Sequence, residues 1–432
     1  MAQIKSFAKN VIFEQNKKLI MAITGIIYTY IIANYLGPAD YGLVIYFTAF
    51  MVLLNFFGVS VIQSLIRVFI PKCKSKDLFF KILKWQYIIV LPVVAAVFFF
   101  APVITEFIGK DFPFLLRWSA ILALFTPLYT SLIYLFRGFK LFGKAVKIES
   151  VMQIVVLLAS ILFVIVMGFG MVGVIYAQLF ATIVCIILGI YYFRKIPFSN
   201  LTLESSEIKK FVKFRYPTAF IESGYQQFII LMMGIFITPA VLGYFYLAEK
   251  IYGLFIGKTA TTLGDVLHPY LMEKYKEKDV LGRFVSLGIK ANFIVNSFFM
   301  IVMVITTQFL LTIFMPDFVP AGIIVLGFGL IALMHPVEMM NHIFVSINRM
   351  DLAFKERVIT TIMKIVGVLL LMPWFTVTAL IWAPAFNLWS EFVIFRKYSN
   401  FLNIKVQIIP RRKDISFFWS IIKRGFKKYV VR

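Results

Sequence analysis

Long apolar runs alternate with short polar or basic segments along the whole chain. Most runs reach or exceed the roughly 20 residues that an α-helix needs to cross the hydrocarbon core of a bilayer. The pattern is typical of an all-α, polytopic membrane protein and predicts about twelve spanning helices. The predicted spans cover residues 15–35, 42–70, 82–104, 114–136, 148–167, 171–193, 214–237, 241–268, 285–311, 320–346, 354–373 and 375–395.

Basic side chains occur in alternate loops between these spans. The loops on the side of the N-terminus carry runs of Lys and Arg, whereas the opposite loops hold only Lys110 and Arg117. Because cytoplasmic loops are enriched in Lys and Arg, both termini are predicted to lie in the cytoplasm, with the chain in the cytoplasmic membrane. The alternation also supports the count of twelve, because one missed span would exchange the sides of all later loops.

Composition agrees with lipid as the surrounding solvent. Of 432 residues, 61% are hydrophobic and 15% are charged, against about 45–50% and 25% in soluble domains. The net charge of +24 could indicate a nucleic-acid partner, but the basic residues lie between the spans, so none is predicted. Cys73 and Cys185 lie at different predicted depths, and we expect neither a disulfide nor a metal site. The N-terminus lacks the features of a cleaved signal peptide, so the first span should be retained.

An internal repeat relates the two halves of the chain. Pro, Ala and Gly of the segment 36–42 (LGPADYG) recur 201 positions later in the segment 237–243 (ITPAVLG), each between two long apolar runs. The pattern predicts duplication. Since each half holds an even number of spans, the halves would be parallel repeats, as in several transporter folds.

The repeat divides the chain into four parts. These are a six-helix bundle over 1–193, a cytoplasmic linker over 194–212, a second six-helix bundle over 213–398 and a basic cytoplasmic tail over 399–432. Two pseudo-symmetric bundles that meet near the membrane midplane suit alternating-access transport. The tail is interpreted as a topology anchor, with an amphipathic helix on the inner leaflet as the alternative.

Polar and small residues form one stripe along the eighth span. The stripe contains Lys250, Gly253, Gly257, Thr261 and Gly264, with Lys258 and Asp265 beside it. Spacings of four and three place these positions on one helical face. Two interpretations stay open: close glycine packing with a paired lysine, or a cationic cavity wall for a phosphate group.

Charged residues in other spans add candidates. Arg67 could snorkel to the interface or hold a phosphate through two hydrogen bonds. Glu222 and Gln226 share a face, where they could pair with a lysine or couple transport to ions. Lys290 is expected to snorkel, and the role of Lys364 stays open.

The tenth span contains His335, Glu338 and His342 at helical spacing. This spacing could bind a metal or relay protons, but no fourth ligand is evident, so a hydrogen-bond cluster is favoured and no metal or cofactor is predicted. Glu338 and Asp265 remain candidates for coupling to a proton or sodium gradient. The membrane potential is a further candidate energy source. No nucleotide-binding loop is found.

A family resemblance rests on the sequence 35–42 (YLGPADYG), followed by Gly58 and Arg67, and on three segments of the second half, 214–217 (FRYP), 242–245 (LGYF) and 268–271 (HPYL). The chain resembles the polysaccharide-exporter, or Wzx-type oligosaccharide flippase, family. That family belongs to the superfamily that also holds multidrug (MATE) exporters and lipid II flippases. One departure is 224–227 (GYQQ), where family members often have an Asp.

The resemblance implies a flippase that moves a polyprenyl-(pyro)phosphate-linked oligosaccharide from the inner to the outer leaflet. Glycosyltransferases and a glycan polymerase would be partners, together with the membrane lipids. A cation-coupled multidrug exporter of the same fold is the alternative. Cations outnumber carboxylates in the candidate pocket, which favours an anionic ligand. The cations are Arg67, Lys250, Lys258 and Lys364, and the carboxylates are Glu222 and Asp265. An enzyme is not expected, because the outer loops are too short to carry a catalytic site.

Overall fold

A computed structural model of the chain describes most of its first half and parts of its second half. The described ranges are 2–73, 75–109, 112–139, 141–196, 198, 225–256 and 278–333, with short stretches between 355 and 400. Every regular element in these ranges is a helix, which confirms the predicted all-α class.

Ten α-helices can be numbered in the ranges from 2 to 333. They are α1 (Ala2–Cys73), α2 (Lys76–Phe99), α3 (Ala101–Ile108), α4 (Pro113–Gly138), α5 (Phe142–Ser160), α6 (Gly170–Phe193), α7 (Tyr225–Phe236), α8 (Pro239–Phe255), α9 (Lys278–Phe314) and α10 (Ala321–Ala332). A π-helical turn, Ile161–Val166, extends α5, and a 3₁₀ turn, Pro316–Phe318, precedes α10.

Six helical segments of the described part are long and apolar enough to cross a membrane. They are Ile20–Leu54, Lys76–Phe99, Pro113–Gly138, Phe142–Val166, Gly170–Phe193 and Ser286–Phe314. The chain is therefore a polytopic membrane protein, as predicted. Predicted spans 114–136 and 171–193 agree closely with α4 and α6, because their limits are marked by Pro113 and by the glycines that precede α6.

The first two predicted spans differ from the structure at their junction. The segment 36–42 was expected to form a turn of several residues, but α1 departs from helical geometry at Gly37 alone, with φ 72° and ψ 173°. A positive φ favours glycine, since it has no Cβ, and Pro38 suits the first position of the helix that follows. Two long helices therefore meet at a single residue, and the second begins at about residue 38 instead of 42.

The third predicted span also ends elsewhere. It was expected to continue to residue 104, with a loop over 105–113, but α2 ends at Phe99 and residues 101–108 form the separate helix α3. Pro102 near the start of α3 and the left-handed Gly109 after it explain its limits. The Arg117 Nε donates a hydrogen bond of 3.4 Å to the Phe98 carbonyl near the end of α2.

Contacts divide the chain into two compact units, residues 1–243 and 244–432. The first unit contains α1 to α7 and the first residues of α8. The predicted bundles, 1–193 and 213–398, and the predicted linker and tail stay predictions, since most of the linker and all of 401–432 lie outside the described residues.

Helices α1, α2, α4, α5 and α6 pack around one apolar core. Phe69 of α1, Phe79 of α2, Phe136 of α4 and Ile148 of α5 are each at most 3% exposed in this cluster. The helix faces that point away from this core carry large, exposed apolar side chains; Ile187, for example, is 64% exposed. In water such a surface would be costly, so it must face lipid.

In the second unit α8 packs on α10 through aromatic rings. Tyr252 stacks on Phe328 with ring centroids 5.3 Å apart, and Phe245 lies 5.4 Å from the same ring. Helix α9 packs closely on α10, since a Cβ at Gly329 would lie 2.9 Å from the Met300 side chain. These contacts fix which face of α8 is turned toward α10.

The ends of α4 and α5 that are predicted to face the cytoplasm are joined by an ion pair. The Arg137 Nη2 donates hydrogen bonds of 2.9 and 3.1 Å to the two Glu149 carboxylate oxygens, and the side chains are only 20% and 18% exposed. The guanidinium also lies over the Tyr134 ring at 5.9 Å. A charge so enclosed would be poorly solvated if its partner were removed.

We therefore expect Arg137→Leu to lower the free energy of unfolding by about 2–3 kcal/mol, because Glu149 would remain charged and enclosed. Adding Glu149→Gln to it should recover part of that loss. The measurement is thermal unfolding of the full-length protein in detergent, with the exposed Arg194→Leu as control. Equal losses in Arg137→Leu and Arg194→Leu would show that the pair contributes nothing specific.

Candidate functional site

One face of α8 carries the described part of the polar stripe. Tyr246, Glu249, Lys250 and Gly253 follow spacings of three, one and three, so they share a face that is adjacent to the face packed on Phe328. The helix continues from Pro239 through this region because Pro is accepted in the first turn and no further Pro follows before Phe255. The stripe is thus held by the aromatic packing behind it.

The Lys250 amine lies beside an aromatic ring and a carboxylate. Its Nζ is 5.4 Å from the centroid of the Tyr246 ring, and its charge interacts with that of Glu249. All three side chains are half-buried. A Cβ placed on Gly253 would meet no atom within 4 Å, so the face beyond Lys250 borders open space. Close glycine packing does not explain Gly253.

Glu249 was missed in the sequence interpretation. Its adjacency to Lys250 was visible, but neighbouring residues on a helix point about 100° apart, and the stripe was defined through Lys250 alone. The structure shows that both side chains border the same region. The stripe therefore offers a cation, a carboxylate and a phenol together.

Most other predicted site residues fall where the structure gives no description. Lys258, Thr261, Asp265, Glu222, Lys364 and Glu338 lie outside the described residues. Arg67 belongs to α1 and Gln226 to α7, but their side chains also lie outside the described part. Their proposed roles in binding or ion coupling stay predictions.

Helix α9 contains buried polar residues that sequence interpretation assigned incorrectly or missed. Lys290 was expected to snorkel, but it is only 5% exposed and is thus enclosed by protein. Asn292 and Asn296, one turn apart, are fully buried. Among described residues, the Asn292 amide has no hydrogen-bond partner for either atom. Sequence interpretation treated the run around the two asparagines as uniformly apolar and so overlooked them. Their i, i+4 spacing could have indicated a shared polar face.

The two hairpin turns of the repeat, residues 36–42 and 237–243, touch each other. A Cβ at Gly42 would overlap the Pro239 carbonyl oxygen and lie 2.9 Å from the Gly243 amide nitrogen. Reciprocally, a Cβ at Gly243 would overlap the Pro38 carbonyl oxygen and lie 3.3 Å from the Gly42 nitrogen. The same pair of residues, Pro and Gly, thus makes the same contact from each repeat, backbone against backbone.

The contact continues from the turns into the helices beside them. A Cβ at Gly234 of α7 would overlap the Tyr46 ring, and Tyr46 is 2% exposed. The second half of α1 and α7 therefore pack closely from the turns inward. The two hairpins are therefore in contact at this end, which charge asymmetry predicts to be the outer end.

A family model shows to which proteins the chain is related. The model of the polysaccharide biosynthesis protein family matches residues 7–275, which is more than half of the chain. The chain belongs to the polysaccharide biosynthesis protein family. The matched range includes both hairpin turns and the α8 stripe of this family member, whereas α9, Glu338 and Lys364 lie beyond it. No curated protein sequence matches the chain significantly.

Solved structures show the fold of this family member. The lipid II flippase MurJ in an inward closed conformation is similar with a TM-score of 0.71 and 15% identity, over 98% of this chain and 100% of that chain. An inward-facing multidrug resistance MATE family transporter of the MOP superfamily is similar with a TM-score of 0.67 and 14% identity, over 88% of this chain and 97% of that chain. A MOP superfamily transporter from Pyrococcus furiosus, described as having a binding pocket of reverse polarity, is similar with a TM-score of 0.58 and 16% identity. The match covers 91% of this chain and 94% of that chain. At these identities the likeness establishes the MATE-like fold alone.

Proposed function

We propose that the chain is a flippase that moves a polyprenyl-(pyro)phosphate-linked oligosaccharide from the inner to the outer leaflet. The glycan would serve in assembly of a cell-surface polysaccharide. The observation that carries the proposal is the half-buried Lys250 amine beside the open space at Gly253, in a chain of the polysaccharide biosynthesis protein family. A lysine held in an apolar span is costly, and binding of an anionic group would offset that cost.

The remaining predicted cations would extend the same binding region. We propose that Arg67, Lys258 and Lys364 contribute further positive charge and that Thr261 adds a hydroxyl to the stripe. A phosphate or pyrophosphate accepts several charge-assisted hydrogen bonds at once, so several cations are better suited than one. The sugar would follow the phosphate through the same region, while the polyprenol stays in lipid.

Alternating access would supply the movement. The reciprocal contact of Gly42 and Gly243 closes one end of the two hairpins, and the structure therefore supports a state closed at the predicted outer end. Outward opening must separate these turns. Energy could come from a proton or sodium gradient, with Glu222, Gln226, Asp265 and Glu338 as coupling candidates, or from the membrane potential.

The alternative function, export of cationic drugs coupled to cations, is favoured by one observation. Glu249 and Tyr246 offer a carboxylate and an aromatic ring beside Lys250, and this chemistry binds organic cations. The two functions assign opposite importance to Lys250 and Glu249, so the pair can decide between them.

We expect Lys250→Gln to reduce flipping at least about tenfold, because one charge-assisted contact to the phosphate, worth about 1.5–3 kcal/mol, is lost. Lys250→Arg should retain most activity, and Glu249→Gln should have a smaller effect than Lys250→Gln. The measurement is complementation of a strain that lacks the endogenous flippase, at matched protein levels.

Lys84→Gln serves as the control for loss of a lysine, because this side chain is exposed on α2. The opposite result, full glycan transport in Lys250→Gln but lost resistance to cationic drugs in Glu249→Gln, would reject the flippase and favour the exporter.

A further inference from the structure

Four cations gather where α5 begins and α6 ends. Lys144 and Lys147 lie in the first turns of α5, and Arg194 and Lys195 follow the last turn of α6. The two helices are adjacent here, since the Cys185 thiol lies 3.6 Å from the Ile148 carbonyl oxygen. Charge asymmetry predicts that this end faces the cytoplasm. We call Lys144, Lys147, Arg194, Lys195 and the tyrosines between them, Tyr191 and Tyr192, the inner basic cluster.

Two adjacent tyrosines organise the amines of the inner basic cluster. The Lys144 and Lys147 amines lie 5.7 and 6.0 Å from the centroid of the Tyr192 ring. The Lys195 amine lies 4.2 Å from the centroid of the Tyr191 ring and donates a hydrogen bond of 2.8 Å to its hydroxyl. Lys147 also acts electrostatically on Tyr191. Amines from two helices are thus collected around one pair of rings.

The neighbouring carboxylate does not balance this charge. Glu149 is the one acidic residue in the sequence of α5, and both of its oxygens accept hydrogen bonds from Arg137. Within α5, α6 and the described residues that directly follow α6, the inner basic cluster therefore has an excess of positive charge. Several like charges held near each other attract an anion strongly, and most strongly next to a surface of low dielectric constant.

An apolar wall leads from the membrane interior to the inner basic cluster. Along α6 the outward side chains are large and open to the surroundings. They are Phe180 (50% exposed), Ile183 (37%), Ile187 (64%), Ile190 (40%) and Tyr191 (53%). Their spacing of three and four residues makes one continuous helical face. Its exposure in a polytopic protein means that lipid chains cover it, and Tyr191 stands where this face meets the cations.

We propose that the inner basic cluster binds the head group of an anionic glycerophospholipid of the inner leaflet, with the acyl chains against the α6 wall. The phosphate would accept charge-assisted hydrogen bonds from Lys144, Lys147 and Lys195. The continuity of the cations with a lipid-facing wall favours a lipid over a soluble anion, and this combination is how basic sites at the inner interface select anionic lipids. The site is independent of the flippase proposal, because it uses none of the residues assigned to the transported substrate.

The test uses the purified full-length protein and phosphatidylglycerol, with phosphatidylcholine as the neutral comparison. Bound lipids are counted by native mass spectrometry, and affinity is taken from a lipid titration. We expect a saturable phosphatidylglycerol site that phosphatidylcholine does not fill. The triple variant Lys144→Gln, Lys147→Gln, Lys195→Gln should weaken it at least about tenfold, since each lysine near the surface contributes severalfold to anionic-lipid binding.

A matched control removes three exposed lysines of the neighbouring helix α2, with Lys76→Gln, Lys81→Gln and Lys84→Gln; α2 contacts the end of α6 through Phe80 and Phe193, so the control tests nearby charge that does not surround the tyrosines. It should leave the affinity within about twofold, because these lysines do not surround the tyrosines. A second control replaces Lys144, Lys147 and Lys195 by arginine, which keeps the positive charge. This variant should still bind phosphatidylglycerol. Binding would show that the three positions tolerate substitution, so that the loss in the glutamine variant reflects lost charge and not misfolding.

Three results would overturn the proposal. Equal weakening in both glutamine triples would mean general charge attraction. Displacement of phosphatidylglycerol by inorganic phosphate at similar concentration would mean a site for soluble anions. Farnesyl phosphate bound as tightly as phosphatidylglycerol or more tightly would mean a site for the isoprenoid-linked substrate.

Discussion

Gly42→Ala should reduce transport by about tenfold or more while leaving the protein folded and in the membrane. The added methyl group would overlap the Pro239 carbonyl oxygen, which is backbone and cannot rotate away. Overpacking of this kind costs about 1–3 kcal/mol. In the proposed transport cycle the two turns meet only when this end is closed, so the cost would fall on the closed state and shift the population toward the open one. The measurement is glycan transport together with the distance between spin labels on Ala39 and Ala240.

Gly25→Ala is the matched control, because it lies in the first half of α1, before the break at Gly37, and a Cβ there would meet no atom within 4 Å. Alanine is the better helix former by about 1 kcal/mol, so this variant should be as active as the parent and at least as stable. Gly243→Ala should reproduce the effect of Gly42→Ala, since its Cβ would overlap the Pro38 carbonyl oxygen.

The double variant Gly42→Ala, Gly243→Ala should be little worse than either single variant, because each alone already separates the turns. Normal transport with an unchanged label distance in Gly42→Ala would show that the contact is not part of the transport cycle.

Much of the fold could be predicted because lipid imposes one rule on every span. An exposed helix face must be apolar, so the runs that became α4 and α6 were visible in the sequence, with their limits marked by Pro113 and Gly170. Local backbone geometry was less visible. The turn at Gly37 and the separate helix α3 depend on single residues with special φ values or on an early Pro, and an apolar run gives no signal of either.

The candidate site was predicted in part. Lys250 stood out because a charge in an apolar span is rare, and Gly253 followed it at helical spacing. Lys290 shows the limit of that approach. A lysine near the end of an apolar run can either snorkel to the interface or be buried, and the sequence is the same in both cases. Only the packing of neighbouring helices decides between them. The reciprocal contact of Gly42 and Gly243 was foreshadowed by the repeat, but the distance between the turns depends on how the hairpins meet.

Joining the two turns covalently should stop transport almost completely. We expect the pair Ala39→Cys and Ala240→Cys to be joined by a short bifunctional thiol reagent, because the turns that carry them are in backbone contact through Gly42 and Gly243. Joined turns cannot separate, so under the proposed mechanism the substrate could not leave at this end. Cys73 and Cys185 would first be replaced by serine and alanine, so that only the introduced thiols react. Transport is measured in membrane vesicles before and after the reaction.

The single variants treated with the same reagent control for modification without joining, and each should keep its transport. A cleavable version of the reagent adds a second control, since reduction should restore activity to the level before treatment. A long, flexible reagent should inhibit less than a short one, because it permits the turns to part. Efficient joining by the short reagent with undiminished transport would mean that these turns stay together throughout the cycle, and opening would then have to occur elsewhere in the molecule.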